Sequence, residues 1–306
     1  MAVWLDEVLS DERLLLPGHA ACAGCGPAIN IQHLLGALQA ARPGSRIVLV
    51  IPASCWTIIT GIYPVTAFGV AVHLTPFASA AAEASGIKAA LRLRGRDDVT
   101  VVVWGGDGAT EDIGFSAVSA AAERNEDFIY VLNDNEAYMN TGVQQSGATP
   151  EGAWTTTTPE GSPTSRRRKD MARIMAAHGV PYLATLAAGS VPTLKDFRAK
   201  VARAAELNGF RFLHVLGACP PGWRHPTDQS VEIVRLAVES RYFPLVECDG
   251  GKWRITHRPK HPVPVRAFLE TQGRFAQLTP VQVDVIQAHV DERWRLLESL
   301  EATTAP

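Results

Sequence analysis

A doubly wound α/β fold on a parallel sheet is predicted by two observations. Apolar, β-branched runs of strand length recur along the chain, as expected of strands covered on both faces. Segments of helical spacing, each suited to a crossover, stand between them. In order, residues 29–40 have helical spacing, and RIVLVI (46–51) follows as a buried strand. A helix is predicted over 78–93, ahead of VTVVVW (99–104), and another over 113–124, ahead of FIYVL (128–132). From 142 to 169 the periodicity gives way to Gly, Thr, Ser, Pro and a basic run. That is too long for a routine connection, so an ordered loop carrying function or an interface is expected. A helix over 194–207 then leads to FLHVL (212–216).

After Pro220 the chain changes character. Helical spacing returns over 231–240, a short strand is predicted over 252–257, and 257–264 is rich in Pro and His. A last helix over 280–298 carries Val283, Val285, Ile286, Val290, Trp294 and Leu297. The organisation read from this is a domain over 1–225 with a C-terminal arm over 226–306, packed on the domain or on a partner subunit.

The composition, 46% hydrophobic and 20% charged over 306 residues, provides a large core and excludes a disordered chain. With 29 Lys plus Arg against 31 Asp plus Glu, no global field draws the protein to nucleic acid or an anionic membrane, and neither is an expected partner. The N-terminus carries acidic residues where a signal peptide would be basic. The stretch 67–87 is broken by His73, Pro76 and Glu83, short of the roughly 20 apolar residues that span a bilayer. Five cysteines, an odd number, suit a reducing compartment, so a soluble cytoplasmic protein is expected.

The strongest local signal is VVVWGGDGATED (101–112). A glycine-rich turn at the end of a parallel strand offers backbone N–H groups and a helix N-terminus to phosphate oxygens. Asp107 adds a hard carboxylate, and a diphosphate beside a carboxylate calls for a divalent cation such as Mg2+. The next strand is followed by NDNEAYMNTG (133–142), a second oxygen-rich turn. Asp107 and Asn135 are separated by room for one helix and one strand, so adjacent strand ends would bring both to one edge of the sheet. The pair resembles the thiamine diphosphate motif. That resemblance implies that Gly106, Asp107 and Gly108 meet the cofactor, while Asp107, Asn135 and the carbonyl of Ala137 hold Mg2+.

A second constellation is CAGCG (22–26), with Cys55 after the first predicted strand and Cys219 before PPGW. Four thiolates suit a 4Fe–4S cluster or a structural zinc, and C-x2-C alone suits a redox dithiol. Spacing does not choose among these, or against scattered core cysteines.

Together the two constellations resemble the thiamine-diphosphate-binding β subunit of 2-oxoacid:ferredoxin oxidoreductases, especially the pyruvate-type branch, with phenylglyoxylate and oxalate oxidoreductases as relatives. The resemblance is carried by GHAACAGCG (18–26), Ser54-Cys55, GDGATEDIG (106–114), residues 123–150, TTTTP (155–159) and GACPPGW (217–223), roughly the first three quarters of the chain. It implies the thiamine-diphosphate-binding fold, with thiamine diphosphate, Mg2+ and a 4Fe–4S cluster on Cys22, Cys25, Cys55 and Cys219 as cofactors. Cys55 would also border the thiamine cofactor, Asn140 would contact the substrate or the reactive intermediate, and Thr141 and Gly142 would shape the site. The implied reaction is oxidative decarboxylation of a 2-oxoacid, pyruvate first and an arylglyoxylate such as phenylglyoxylate second. The acyl group would pass to coenzyme A, and electrons would leave through the cluster to ferredoxin or a related acceptor. No motif here supplies the activating Glu; the resemblance implies that it comes from an α-type subunit, with γ- and δ-type ferredoxin-like subunits completing the complex. A non-redox thiamine-dependent decarboxylase or carboligase would leave the cysteines idle. A non-catalytic metal-binding scaffold would leave Asp107, Asn135 and Asn140 idle.

Lesser features receive plainer readings. Cys248 is expected to be a buried, inert thiol. The basic run 166–169 reads as a solvated face, with coenzyme A phosphates or an acidic partner as the sharper alternative. His19 stands beside the C-x2-C and could tune either cofactor; His73, His178 and His214 read as satisfied core histidines, and Tyr138 and Met139 as packing residues.

Overall fold

The computed structural model describes residues 13–62, 64–158 and 166–304. Among these the strands are β1 (Arg46–Pro52), β2 (Ala71–Thr75), β3 (Val99–Gly106), β4 (Phe128–Asp134), β5 (Tyr182–Leu186), β6 (Phe210–Leu216), β7 (Val246–Asp249) and β8 (Lys252–Ile255). They form one sheet in the spatial order β2-β1-β3-β4-β6-β5-β7-β8. Every pairing from β2 to β5 is parallel, whereas β7 and β8 add antiparallel strands at one edge. The parallel α/β expectation therefore holds, and the strand predicted over 252–257 is the outer member of that added hairpin.

The helices are α1 (Gly26–Ala41), α2 (Trp56–Ile59), α3 (Ala80–Leu93), α4 (Phe115–Glu123), α5 (Met171–Ala177), α6 (Val191–Glu206), α7 (Pro220–Trp223), α8 (Ser230–Glu239), α9 (Val265–Leu269) and α10 (Pro280–Thr304). The helix predicted over 113–124 begins later than expected, because a π-helical turn, Gly108–Asp112, precedes α4. α6 starts sharply: the Ser190 hydroxyl accepts from the Thr193 N–H and the Thr193 hydroxyl from the Ser190 N–H, and Pro192 stands in the first turn.

Strand β3 shows how the sequence covers both faces. Val102 and Trp104 pack in one core with Leu35 of α1 and Phe197 of α6. Val101 and Val103 point the other way, to Ala81 of α3, Val118 of α4 and Met175 of α5. The C-terminal residues continue the same structure, since Trp253, Trp294 and Leu297 join that second core. A third core gathers Trp223, Phe268 and Ile286. Among the described residues no helix is long and apolar enough to cross a membrane.

From β1 the chain moves outward to β2 and then returns to place β3 on the other side of β1. Such a reversal opens a crevice at the carboxyl ends of the strands, the usual ligand position in doubly wound sheets.

Candidate functional site

That crevice is a cleft of about 340 Å³. The loop after β1 brings Cys55, the turn after β3 brings Gly106, Asp107 and Gly108, and the turn after β4 brings Asn135, Ala137, Asn140 and Thr141. The loop after β6 brings Cys219, and the segment entering α1 brings Cys22 and Cys25. Gly142 does not line the cleft; it is exposed, at φ +119°. Asn140 and Thr141 are exposed at the rim, with the Thr141 hydroxyl donating to Gln144 at 2.6 Å.

At the floor, one terminal atom of the Asn135 amide lies 3.1 Å from Asp107 Oδ1 and 2.9 Å from the Ala137 carbonyl oxygen. Placed as nitrogen, it donates to both. Placed as oxygen, it gives a set of three oxygens whose spacing suits Mg2+, because metal–oxygen bonds of about 2.0–2.1 Å at right angles set neighbouring ligands about 2.9 Å apart. Asp107 is buried, and its carboxyl is pushed well above the ordinary 3.8 by burial and by the nearby charge of Asp134. A bound cation would reverse that penalty. The Ser146 hydroxyl donates to Asp107 Oδ2. Gly108 admits the Tyr138 ring, which would lie 2.2 Å from any Cβ there, and the Tyr138 hydroxyl donates to Asp112 at 3.0 Å.

Behind this floor lies a buried charge network. Arg168, with 13% of its side chain exposed, donates to Glu136 at 2.6 Å and to Asp134. His214 bonds Asp134 at 2.7 Å, and Arg274 donates to Glu136. The solvated-face reading of the basic run thus fails at Arg168, whose partners are the last residue of β4 and Glu136 in the turn behind it. Lys169 is paired with Asp112 at 3.1 Å, while Arg167 pairs with Glu292 at the surface. Glu111, Asp134 and His214 are the one group of three among the described residues whose metal-ligating atoms all lie within 4.8 Å of one another. Asp134 is already engaged by Arg168 and His214, and the guanidinium disfavours a cation there.

Arg168 and His214 hold the Asp134 carboxyl down at about 2 despite its burial. Its contribution to stability is therefore complete above the ordinary 3.8 and is lost as pH falls towards about 2. Arg168→Met is expected to cost about 3 kcal/mol at pH 7, the scale of leaving buried carboxylates without their partner. Urea unfolding should show the gap to wild type narrowing across that acid window; an equal gap at every pH would contradict the assignment.

Cys22, Cys25, Cys55 and Cys219 come together from three segments, all with free thiols. Gly24 and Gly26 permit the approach of the C-x2-C loop: a Cβ at Gly24 would meet the Thr227 carbonyl oxygen at 2.0 Å, and one at Gly26 the Ala218 nitrogen at 2.6 Å. Cys25, Cys55 and Cys219 occupy the N-cap positions of α1, α2 and α7; of these only α1, with 16 residues, is long enough for aligned backbone dipoles to favour negative sulfur. Burial, with the neighbouring cysteines adding to it, pushes Cys25 up to about 11 and Cys219 to about 12. Thiols that raise one another in this way form a donor set suited to positive charge. Cys248 is buried away from them in the second core.

His19 accepts the Ala21 N–H at 3.3 Å and does not line the cleft. His214 is buried and partnered, and His178 bonds Ser119 at 2.8 Å, but His73 lies exposed on the edge strand β2, paired with Glu83. The sequence reading missed Ser146, Arg168 and Arg274. The first two lie in a segment already marked by its length; for Arg274 no local signal exists.

Residues 57–215 match the family model described as thiamine pyrophosphate enzyme, C-terminal TPP binding domain. The chain is 43% identical over 305 residues to the ketoisovalerate oxidoreductase subunit VorB of Pyrococcus abyssi, covering 94% of this chain and 96% of that one. It is 44% identical over 296 residues to the pyruvate synthase subunit PorB of Methanocaldococcus jannaschii, covering 94% and 97%. A solved structure of a 2-oxoglutarate:ferredoxin oxidoreductase from Magnetococcus marinus, with 2-oxoglutarate, coenzyme A and succinyl-CoA bound, superposes at a TM-score of 0.56 with 24% identity. It covers 71% of this chain and 77% of that one, a likeness of fold.

Proposed function

Because the chain belongs to the thiamine-diphosphate-binding β subunits of 2-oxoacid:ferredoxin oxidoreductases, we propose that it carries the Mg2+–diphosphate and 4Fe–4S sites of oxidative 2-oxoacid decarboxylation, with acyl transfer to coenzyme A. One observation supports this reading above the others: the Asp107, Asn135 and Ala137 oxygens and all four motif cysteines open into a single cleft. A non-redox decarboxylase has no use for the cysteines, and a scaffold has none for the oxygens. When bound, thiamine diphosphate supplies the electron sink for decarboxylation and the cluster supplies a one-electron outlet beside it.

The residues of the chain perform the remaining tasks. Asp107, Asn135 and the Ala137 carbonyl would hold Mg2+ and so the diphosphate, with the backbone from Gly106 to Gly108 alongside. Trp56, Ile58 and Ile59 give the cleft apolar lining, which would help limit water around a bound cofactor. Asn140, at the rim, would donate its amide to a substrate carboxylate. Cys22, Cys25, Cys55 and Cys219 would hold the cluster. A single tetrahedral zinc needs sulfurs about 3.8 Å apart, from bonds of about 2.3 Å. Among the described residues no three cysteine sulfurs lie within 4.8 Å of one another, which favours a larger centre.

Among the described lining residues the sole carboxylate is Asp107, and no glutamate reaches the cleft. The activating Glu is accordingly assigned to an α-type partner, and γ- and δ-type ferredoxin-like subunits to the electron path. The chain purified alone is expected to bind thiamine diphosphate but not to turn over, and adding the α-type subunit should start the reaction. Turnover by the lone chain would remove the shared-site reading.

Relatives named for pyruvate and for ketoisovalerate support an aliphatic 2-oxoacid as substrate, with pyruvate the first choice. The test is bleaching of the visible iron–sulfur absorbance in the anaerobically purified complex on adding pyruvate, ketoisovalerate or phenylglyoxylate, with and without coenzyme A. Bleaching by pyruvate that coenzyme A accelerates upholds the reading. Bleaching by another of the three changes the substrate alone, and an iron-free protein that still decarboxylates would favour the non-redox alternative.

A further inference from the structure

The turn that carries Asn135 and Ala137 is bent at Glu136, a non-glycine residue at φ +68°. L residues avoid that region because Cβ crowds the following carbonyl oxygen, so something must hold it. The backbone there is fastened on both sides. The Glu136 N–H donates to Asp134 Oδ1 at 2.9 Å, its carbonyl accepts from the Thr149 hydroxyl at 2.8 Å, and the Asn135 carbonyl accepts from Trp223 Nε1 at 2.7 Å. The side chain is fastened more heavily. Its carboxylate, with no exposure, accepts from Arg168 at 2.6 Å, from Arg274 at 2.5 Å and from the Tyr242 hydroxyl at 3.0 Å. Arg274 is itself buried, 4.0 Å above the Trp223 ring and bonded to Gln272 at 2.7 Å. Glu136 does not line the cleft, so this carboxylate has no direct use there.

We propose that Glu136 is a positioning residue for the divalent cation. Gripped by Arg168, Arg274 and Tyr242, it fixes the left-handed bend, and the bend sets the Asn135 amide against the Ala137 carbonyl at the spacing the ion requires. The proposal rests on the reading of Asp107, Asn135 and Ala137 as Mg2+ ligands. Its consequence is that residues of the C-terminal quarter, which reach no cofactor, govern metal affinity. Groups that orient a metal's ligands change its affinity by about 10–100-fold when removed.

The test uses the whole complex, stripped of divalent ions and titrated with Mg2+ at fixed thiamine diphosphate, with binding read from tryptophan fluorescence. Mn2+ replaces Mg2+ as a paramagnetic probe in a second titration. Arg274→Gln should raise the half-saturating metal concentration about 10–100-fold, and excess Mg2+ should restore cofactor binding. Arg274→Lys, which keeps the charge but loses the planar fork, should recover part of the loss. Glu136→Gly accepts the positive φ without the grip and should also weaken the metal. Tyr242→Phe, a mild change expected to fold even if the charge variants do not, should do so severalfold. Unchanged metal half-saturation in the folded variants overturns the proposal. If wild type itself shows no divalent dependence, the ligand reading falls instead.

Discussion

Asp107→Ala is expected to abolish Mg2+-dependent thiamine diphosphate binding while leaving the brown iron–sulfur colour of the complex unchanged. The carboxylate is the one charged member of the three-oxygen set, and losing a ligand should cost at least the roughly hundredfold that loss of an outer group can cause. Titration of cofactor binding by fluorescence, beside iron content, would check both halves; normal cofactor affinity would refute the ligand assignment. A second readout follows from the carboxyl's raised pKa. Burial and Asp134 push Asp107 well above 3.8, so the metal-free folded chain retains a proton that the unfolded chain releases. The stability of the metal-free form therefore falls as pH rises above that value. Asp107→Asn should unfold at a higher temperature than wild type at pH 7 without Mg2+ and cofactor, and at a lower temperature with them. The same order in both conditions would mean that no cation is held there.

Cys22→Ser should produce the complementary phenotype: loss of one cluster's share of iron, sulfide and visible absorbance and of electron delivery to ferredoxin, with Mg2+-dependent cofactor binding intact. Cys22 is the exposed member of the four, separated in sequence from both oxygen-bearing turns. Serine replaces a soft thiolate with a hydroxyl that stays protonated at neutral pH, a poor ligand for iron. Anaerobic purification followed by iron and sulfide determination would measure the effect. Full iron content together with substrate-driven bleaching would remove Cys22 from the ligand set.

The sequence made the central strands legible because β3, β4 and β6 are covered on both faces and spell near-continuous apolar runs. β2 escaped because it is an edge strand, largely exposed, with a histidine in its middle. β5 is fully buried but only five residues long, and YLATL is too short and mixed to show a period. The oxygen and sulfur constellations stood out because such residue types seldom recur at that spacing, and the structure brings both to one cleft. The support behind them did not stand out. Arg168 reads as one of four consecutive cations, and what separates it from its neighbours is pairing with Asp134 and Glu136, 34 and 32 positions earlier. The bend at Glu136 was equally hidden, since a positive φ is announced by glycine and here falls on a glutamate.

The strand order also fixes a sequence of events during synthesis. β6 lies between β4 and β5 although it is made after both. Until residue 216 has left the ribosome, β4 has no neighbour on its open side, and β5 has no parallel strand on which to dock. An unpaired strand designed for the interior is an aggregation hazard, so the nascent chain passes through a vulnerable interval while residues 135–209 emerge. Cys219 follows directly behind β6, so the fourth of the clustered cysteines emerges as the parallel part of the sheet is completed. On the proposed cluster assignment, iron arriving before that point would meet at most three of the four thiols.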